Sequence, residues 1–177
     1  MAGSIKPATD GTLGVFVGGA QEVVAAGRPI LELWGDPALI RHVGPVGAGS
    51  ALKLVVNLAI GVAVEGVGEA LRLAADLGVD RTAALDALAG GPLSWTLAQK
   101  RPMLDSADFS ATSFSVDLLA KDLGLAIRNG SRPLPATEAA LRSARAASEA
   151  GTGADDYAAI AAAVEAAHRD RAPSLDG

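Results

Sequence analysis

Lys53 and Asn57 stand four residues apart in a strongly apolar stretch, where a charged side chain needs an explanation. On a helix this spacing places both side chains on one face, one turn apart. A lysine with a tuned pKa can give a proton to a carbonyl oxygen as hydride reaches the carbon, and can take it back in the reverse direction. An amide one turn away can hold the same oxygen or orient the ammonium group. A lone lysine at such a position commonly extends its charged end to solvent, so the surroundings must decide.

A glycine-rich turn, Gly44-Pro45-Val46-Gly47-Ala48-Gly49-Ser50, directly precedes this pair. Backbone N–H groups at a helix N-terminus can bind an anion. The turn is not a P-loop, because Ser50 stands where lysine is required. It also lacks the third glycine of a Rossmann fingerprint, since Leu52 occupies that position. By spacing alone, a plain helix entry and an anion-binding turn both remain open.

A second candidate group consists of Phe114, Lys121 and Asp122, which fall on neighbouring turns of one predicted helix. An ordinary amphipathic helix with an exposed charge pair explains the same spacing. The two histidines, His42 and His168, have no second histidine at the spacing of a metal site. The sequence contains no cysteine, which excludes thiolate ligands and a cysteine nucleophile. The sequence therefore predicts no metal site.

The elements predicted to position these residues are mainly helical. One long helix is predicted over residues 51–77, apolar on nearly every side, which predicts a central helix, an oligomer interface or both. Shorter helices are predicted at about 80–89, 94–104, 114–129, 135–150 and 155–168. Ahead of the long helix, glycine-bounded apolar runs predict short strands at 13–18 and 39–43, with helix between them over 21–34. Two strands make a poor sheet alone, so they predict the edge of a larger sheet.

Composition restricts the classes of protein. The chain has 177 residues, is 50% hydrophobic and carries a net charge of −5. This predicts one folded domain and argues against nucleic acid as a partner. The longest uncharged apolar run, Leu54 to Val64, is shorter than the roughly 20 residues that span a bilayer, so no membrane is expected. The absence of cysteine and of a signal peptide fits a cytoplasmic protein.

The pattern Gly44-x-x-Gly47-x-Gly49-x-x-x-Lys53-x-x-x-Asn57 resembles the catalytic signature of the β-hydroxyacid dehydrogenases. That family includes 3-hydroxyisobutyrate dehydrogenase and glyoxylate/succinic semialdehyde reductase. Lys121-Asp122-Leu123 is similar to its second signature, and Gly151-x-Gly153-x-Asp155-Asp156-Tyr157 resembles its C-terminal helices. The resemblance extends to about Glu165.

The resemblance implies a role for each candidate residue. Lys53 is the general acid/base, and Asn57 orients the substrate and the lysine. The implied substrate-binding positions are Gly3, Ser4, Phe114 and Asp122. The implied cofactor-binding positions are Gly47, Gly49 and Lys121. The implied cofactor is NADP or NAD, and the implied substrate is small and bears a carboxylate.

The implied fold is mainly α, a 6-phosphogluconate dehydrogenase C-terminal-like helical domain with a long central helix. We expect residues 1–45 to be the edge of a Rossmann domain whose remainder is missing, 46–168 the helical catalytic and dimerisation domain, and 169–177 a tail. The expected function is the C-terminal part of an NAD(P)-dependent oxidoreductase that reduces a small semialdehyde or 2-oxo acid, or oxidises the matching hydroxy acid. Such a chain is expected to be inactive alone. The alternative is a non-catalytic helical oligomerisation module or a truncated fragment; a homodimer or larger is expected in either case.

Overall fold

The computed structural model describes residues 3, 5–91 and 93–167, which divide into two compact units. The division lies between Asn57 and Leu58, within one long helix. The predicted domain boundary after residue 45 lies earlier in the chain, at the end of the second strand.

The first unit is a short strand–helix–strand arrangement followed by the start of the long helix. Its elements are α1 (Ile5–Thr9), β1 (Leu13–Gly18), α2 (Gln21–Leu31), β2 (Gly35–Gly44) and the first part of α3 (Ala48–Asp76). The two strands pair in parallel, with Val15 opposite Ile40 and Val17 opposite His42. Leu13, Val15 and Ile40 form a small buried core. Both predicted strands are confirmed, and β2 begins earlier than expected.

The second unit is a helical bundle. After α3 it contains α4 (Arg81–Ala89), α5 (Ser94–Ser106), α6 (Val116–Asn129), α7 (Pro135–Ala147), a π-helical turn (Ser148–Thr152) and α8 (Ala159–Ala166). Its core draws fully buried side chains from successive helices, among them Val67, Leu85, Leu97, Leu119 and Ile160. The predicted mainly α fold is therefore confirmed. The last helix begins at Ala159 rather than near residue 155, because the residues before it form buried polar contacts instead of a helical turn.

The long helix α3 carries apolar side chains on more faces than these units cover. Val55 and Leu73 are 60% and 57% exposed. The helix is long and apolar enough to cross a membrane by length and composition, with a mean hydropathy of 1.7 over a stretch of which 33% is buried. Core helices of water-soluble proteins pass the same test, so this is weak evidence for a membrane. The sequence predicts a central helix, an oligomer interface or both for this segment, and within the part of the chain described these side chains of α3 are exposed.

Two glycines let α3 approach its neighbours closely. A Cβ atom at Gly61 would lie 2.7 Å from Leu123 Cδ2 of α6, and one at Gly68 would lie 2.6 Å from Val164 Cβ of α8. A side chain at Gly68 would force α3 and α8 apart, and one at Gly61 would require the Leu123 side chain to shift. The core of the second unit therefore depends on these two residues having no side chain.

Candidate functional site

The glycine turn joins the end of β2 to the start of α3. Gly44 and Gly47 have φ values of +129° and +94°, a backbone conformation that favours glycine. A Cβ at Gly18 would overlap the carbonyl oxygen of Pro45, and one at Gly49 would overlap that of Phe16. Packing and backbone geometry thus explain most of the glycines in this motif without a ligand.

Gly47 differs from Gly49 in its surroundings. A Cβ atom at Gly47 would meet no atom within 4 Å among the described residues. Its backbone is thus open to close approach by another group at the entry to α3. Of the two glycines expected to lie near a cofactor, Gly47 is the one whose surroundings leave room for it.

Lys53 and Asn57 lie on α3 immediately after this turn. The helix places them one turn apart, as the spacing predicts. Asn57 is buried and Lys53 is partly buried. The glycine turn therefore fixes where the helix begins, and the helix fixes the spacing of the amine and the amide.

The second predicted group lies in the helical unit. Phe114 precedes α6, and its ring meets that of Tyr157 edge to face at a centroid distance of 6.0 Å. Lys121 Nζ lies 2.9 Å from Asp122 Oδ1, and the Asp122 side chain is only 13% exposed. The acidic side chain of the pair is therefore mostly buried, whereas the Lys121 side chain is 57% exposed.

The structure places the candidate residues in separate units. Gly3, Gly47, Gly49, Lys53 and Asn57 belong to the first unit, and Phe114, Lys121 and Asp122 belong to the second. Gly3 has a φ of +127° and lies beside β1, since its Cβ would come 2.7 Å from Leu13 Cδ2. Ser4 lies outside the described residues. Within the first unit, Gly47 and Gly49 lie at the entry to α3, and Lys53 and Asn57 lie on its next turns.

A buried polar cluster in the helical unit was not predicted. Lys100 Nζ of α5 donates hydrogen bonds to Asp156 Oδ2 and Ser113 Oγ, each at 2.9 Å. The two charged side chains are only 6% and 0% exposed, and the ammonium group lies 4.5 Å from the centre of the Tyr157 ring. The helix predicted over about 155–168 would place Asp156 in its first turn. No local pattern connects it to a lysine 56 residues away in the sequence.

The surroundings of this cluster alter the pKa values of its members. Burial alone would raise the pKa of Asp156, but hydrogen bonds from Lys100, Ser113 and Ala158 outweigh that effect and lower it. Burial, together with the charge of Asp156, holds the pKa of Tyr157 well above its usual value. The cluster therefore contains a carboxylate and a neutral phenol at neutral pH.

Metal ligation has no support in the described part of the chain, where no group of three His, Cys, Asp or Glu side chains could hold an ion. His42 Nε2 lies 2.8 Å from the carbonyl oxygen of Gly19 and 3.1 Å from that of Gly44. This contact joins the ends of the two strands. His168 lies outside the described residues.

Residues 47–164 match the protein-family model described as NAD-binding of NADP-dependent 3-hydroxyisobutyrate dehydrogenase. The chain belongs to the β-hydroxyacid dehydrogenase family. The cofactor class of the family is therefore NAD(P), as the resemblance implied.

Relatives and solved structures agree with this assignment. The chain is 34% identical to 2-(hydroxymethyl)glutarate dehydrogenase of Eubacterium barkeri, over 90% of this chain and 54% of the relative. It is 36% identical to 3-hydroxyisobutyrate dehydrogenase of Pseudomonas aeruginosa, over 73% of this chain and 45% of the relative. The structure of 3-hydroxyisobutyrate dehydrogenase from Mycobacterium tuberculosis superposes with a TM-score of 0.81 at 28% identity, covering 93% of this chain and 59% of that one. The chain thus spans about half the length of the curated relatives it matches.

Proposed function

We propose that this chain is the lysine-bearing helical part of an NAD(P)-dependent dehydrogenase, with Lys53 as the general acid/base. The observation that carries the proposal is the Lys53–Asn57 pair on the first turns of α3, directly after the glycine turn, in a chain of this family. The reaction is the reduction of a small semialdehyde or 2-oxo acid, or the oxidation of the matching hydroxy acid.

Lys53 would transfer a proton at the substrate oxygen. In the reducing direction its ammonium group donates to the carbonyl oxygen while negative charge develops there. In the oxidising direction the neutral amine accepts the hydroxyl proton. When bound, the nicotinamide cofactor supplies or accepts the hydride. Asn57, which is buried, would hold the substrate oxygen or orient the amine.

The remaining candidate residues would bind the two ligands. Gly3, Ser4, Phe114 and Asp122 would contact a small substrate that bears a carboxylate. Gly47, Gly49 and Lys121 would contact NADP or NAD. The open space at Gly47 supports this role there, whereas the close contact between Gly49 and Phe16 gives Gly49 a packing role as well.

Replacing Lys53 tests the proposal in a form of the enzyme that contains both a dinucleotide-binding domain and this chain. We expect Lys53→Ala to lower kcat by about 10²–10⁴-fold, the usual contribution of general acid–base catalysis. Lys53→Arg should lose activity to a similar extent, since a guanidinium keeps the charge but does not release a proton near neutral pH. Arg28→Ala, at an exposed pair with Glu32 on α2, is the control and should retain activity. An unchanged rate in both Lys53 variants would exclude the proposed role.

A nucleotide titration tests whether this chain acts alone. The sequence contains no G-x-G-x-x-G fingerprint, because its three G-x-G tripeptides, at residues 47–49, 66–68 and 151–153, lack the final glycine. We therefore expect no measurable binding of NADPH or NADH to the isolated chain by calorimetry, and no turnover. Binding in the micromolar range would contradict this expectation.

A second candidate function is a helical oligomerisation module without catalysis of its own. The exposed apolar side chains of α3 favour it, since Val55 and Leu73 lie largely uncovered on the longest helix. The two functions are compatible, because a chain can belong to a dehydrogenase family and still be inactive alone. If the Lys53→Ala variant is inactive, the chain contributes to catalysis as well as to association.

A further inference from the structure

The segment that carries Phe114 is held on both sides by residues 155–157. Ser113 donates from its backbone N–H and its hydroxyl to Asp156 Oδ2, at 3.0 and 2.8 Å. The backbone N–H of Tyr157 donates to the carbonyl oxygen of Phe114 at 2.9 Å. The backbone N–H of Val116 donates to the carbonyl oxygen of Asp155, also at 2.9 Å. The Phe114 backbone therefore depends on where residues 155–157 lie.

Lys100 completes this arrangement from a different helix. Its ammonium group contacts the Asp156 carboxylate, the Ser113 hydroxyl and the face of the Tyr157 ring. The edge-to-face contact between Tyr157 and Phe114 extends the same cluster to the Phe114 side chain. One buried cation thus joins both segments that fix the position of this ring.

We propose that Lys100 and Asp156 are positioning residues of the dehydrogenase, whose buried ion pair holds the 113–115 segment so that the Phe114 ring keeps one orientation toward the substrate. The inference rests on the proposed function, because substrate contact by Phe114 belongs to it. Neither Lys100 nor Asp156 contacts the reacting atoms; both act through Ser113, Tyr157 and Phe114.

A purely structural role is the competing explanation, and a second, more exposed ion pair of the helical unit serves as the control. Arg81 Nε of α4 lies 2.7 Å from Glu165 Oε1 of α8, so this ion pair also joins distant parts of the helical unit. Arg81 further donates to the carbonyl oxygen of Leu104. Neither of these contacts reaches the 113–115 segment. If the two ion pairs contribute only to stability, removing either pair should have the same effect on the Phe114 ring.

Fluorine NMR on this chain tests the positioning directly. The sequence has three phenylalanines, Phe16, Phe109 and Phe114, so labelling with 4-fluorophenylalanine gives three resonances that single Phe→Leu variants assign. Removing one charge of a buried pair can unfold a protein, whereas replacing both charges by apolar side chains is far better tolerated. The test variant is therefore the double substitution Lys100→Met with Asp156→Leu, and the control is Arg81→Met with Glu165→Leu.

We expect the test variant to shift or broaden the Phe114 resonance while the Phe16 resonance stays in place. The control variant should leave the Phe114 resonance unchanged, and Lys100→Arg should preserve it at least in part. A folded test variant with an unaltered Phe114 resonance would overturn the inference. So would a control variant that alters this resonance equally.

Kinetics then separate this inference from the proposed function. In the enzyme that contains both domains, the test variant should raise the substrate KM by a several-fold larger factor than it lowers kcat. The control variant should keep the wild-type KM and kcat. Lys53→Ala, measured in the same assay, reports on the proposed function. If Lys53→Ala is fully active, the proposed function fails, and the NMR result still decides whether Lys100 and Asp156 position Phe114. If Lys53→Ala is inactive but the test variant has a normal KM, the inference that Lys100 and Asp156 act on substrate binding is wrong.

Discussion

At the scale of single residues, two carboxyl groups of the helical unit respond in opposite ways to being buried. Four hydrogen-bond donors, from Lys100, Ser113 and Ala158, face the Asp156 carboxylate, and they lower its pKa despite the burial. Glu65 on α3 accepts one hydrogen bond, from Ser143 Oγ at 2.9 Å, and its other carboxylate oxygen is buried with no hydrogen-bond partner among the described residues. Burial, reinforced by the charge of Glu69, therefore raises the pKa of Glu65.

Glu65→Gln is expected to stabilise the chain at neutral pH. Because the pKa of Glu65 is raised in the folded state, its charge opposes folding above that pKa and does not oppose it below the unfolded value of about 4.3. Glutamine keeps an acceptor for Ser143 without the charge. The gain in the free energy of unfolding, measured with urea, should be present at pH 7 and absent near pH 4. An equal difference at both pH values would contradict this assignment.

Asp156→Asn, measured in the same experiment, is expected to change the free energy of unfolding in the opposite direction. The pKa of Asp156 is lowered in the folded state, so its contribution to stability is complete above the unfolded value of about 3.9 and is lost as pH falls through the folded value. The variant should be less stable than the wild type at pH 7. Below about pH 3.9 the free energy of unfolding of the variant should fall less with decreasing pH than that of the wild type, because asparagine takes up no proton.

At the scale of secondary-structure elements, two glycines on α3 give opposite expectations for the same substitution. A Cβ at Gly66 would meet nothing within 4 Å, whereas one at Gly68 would lie 2.6 Å from Val164 Cβ and 2.7 Å from the carbonyl oxygen of Ala161. Gly66→Ala should stabilise the chain by about 0.5–1 kcal/mol, the helix-propensity difference. Gly68→Ala should destabilise it by about 1–3 kcal/mol through overpacking against α8. Thermal or urea unfolding measures both, and a stabilised Gly68→Ala would show that α8 does not pack here.

The helices could be predicted where local signals in the sequence determine them. Asp80 precedes α4, and its side chain accepts a hydrogen bond from Ala83 N at 3.0 Å, the cap that its position suggests. Gly78 follows α3 with a φ of +72°, as its place after the apolar run suggests. The short helix α1 was not predicted, because its five residues include Pro7 and show no repeated apolar pattern.

The candidate site could be predicted in part. The spacing of Lys53 and Asn57 is a local property that any helix preserves, so their relation followed from the sequence. The Lys100–Asp156 pair depends on the packing of α5 against the segment before α8, and no periodicity in either segment indicates it. The same long-range contacts explain why residues 155–158 are not helical although acidic residues favour a helix start.

At the scale of the whole molecule, an apolar groove supports the expected self-association. It has a volume of about 590 Å³ and lies in the helical unit. Its lining residues are Leu58, Ala59, Val62, Ala63, Leu93, Pro133, Leu134, Pro135, Ala136 and Thr137. A groove lined almost wholly by apolar side chains is typical of a contact surface.

We expect a dimer or a larger oligomer in analytical ultracentrifugation. Val62→Glu, which places a charge in the groove, should weaken the association, since a buried unpaired charge opposes it. Leu118→Glu is the control, because Leu118 is an exposed residue of α6 that does not line the groove. A wild-type chain that sediments as a monomer at all concentrations would contradict the expectation, and so would an unchanged oligomer in Val62→Glu.

The parallel pairing of β1 with β2 has a consequence for how the protein behaves on storage and heating. In a sheet of two strands each strand has an edge that pairs with no other strand of that sheet. β2 contains Asp36, Pro37 and Arg41, residue types that discourage unwanted strand pairing, whereas β1, Leu13–Gly18, has neither a charge nor a proline. Of the two strands, β1 is therefore the one at which pairing with a second copy of the isolated chain is expected to begin.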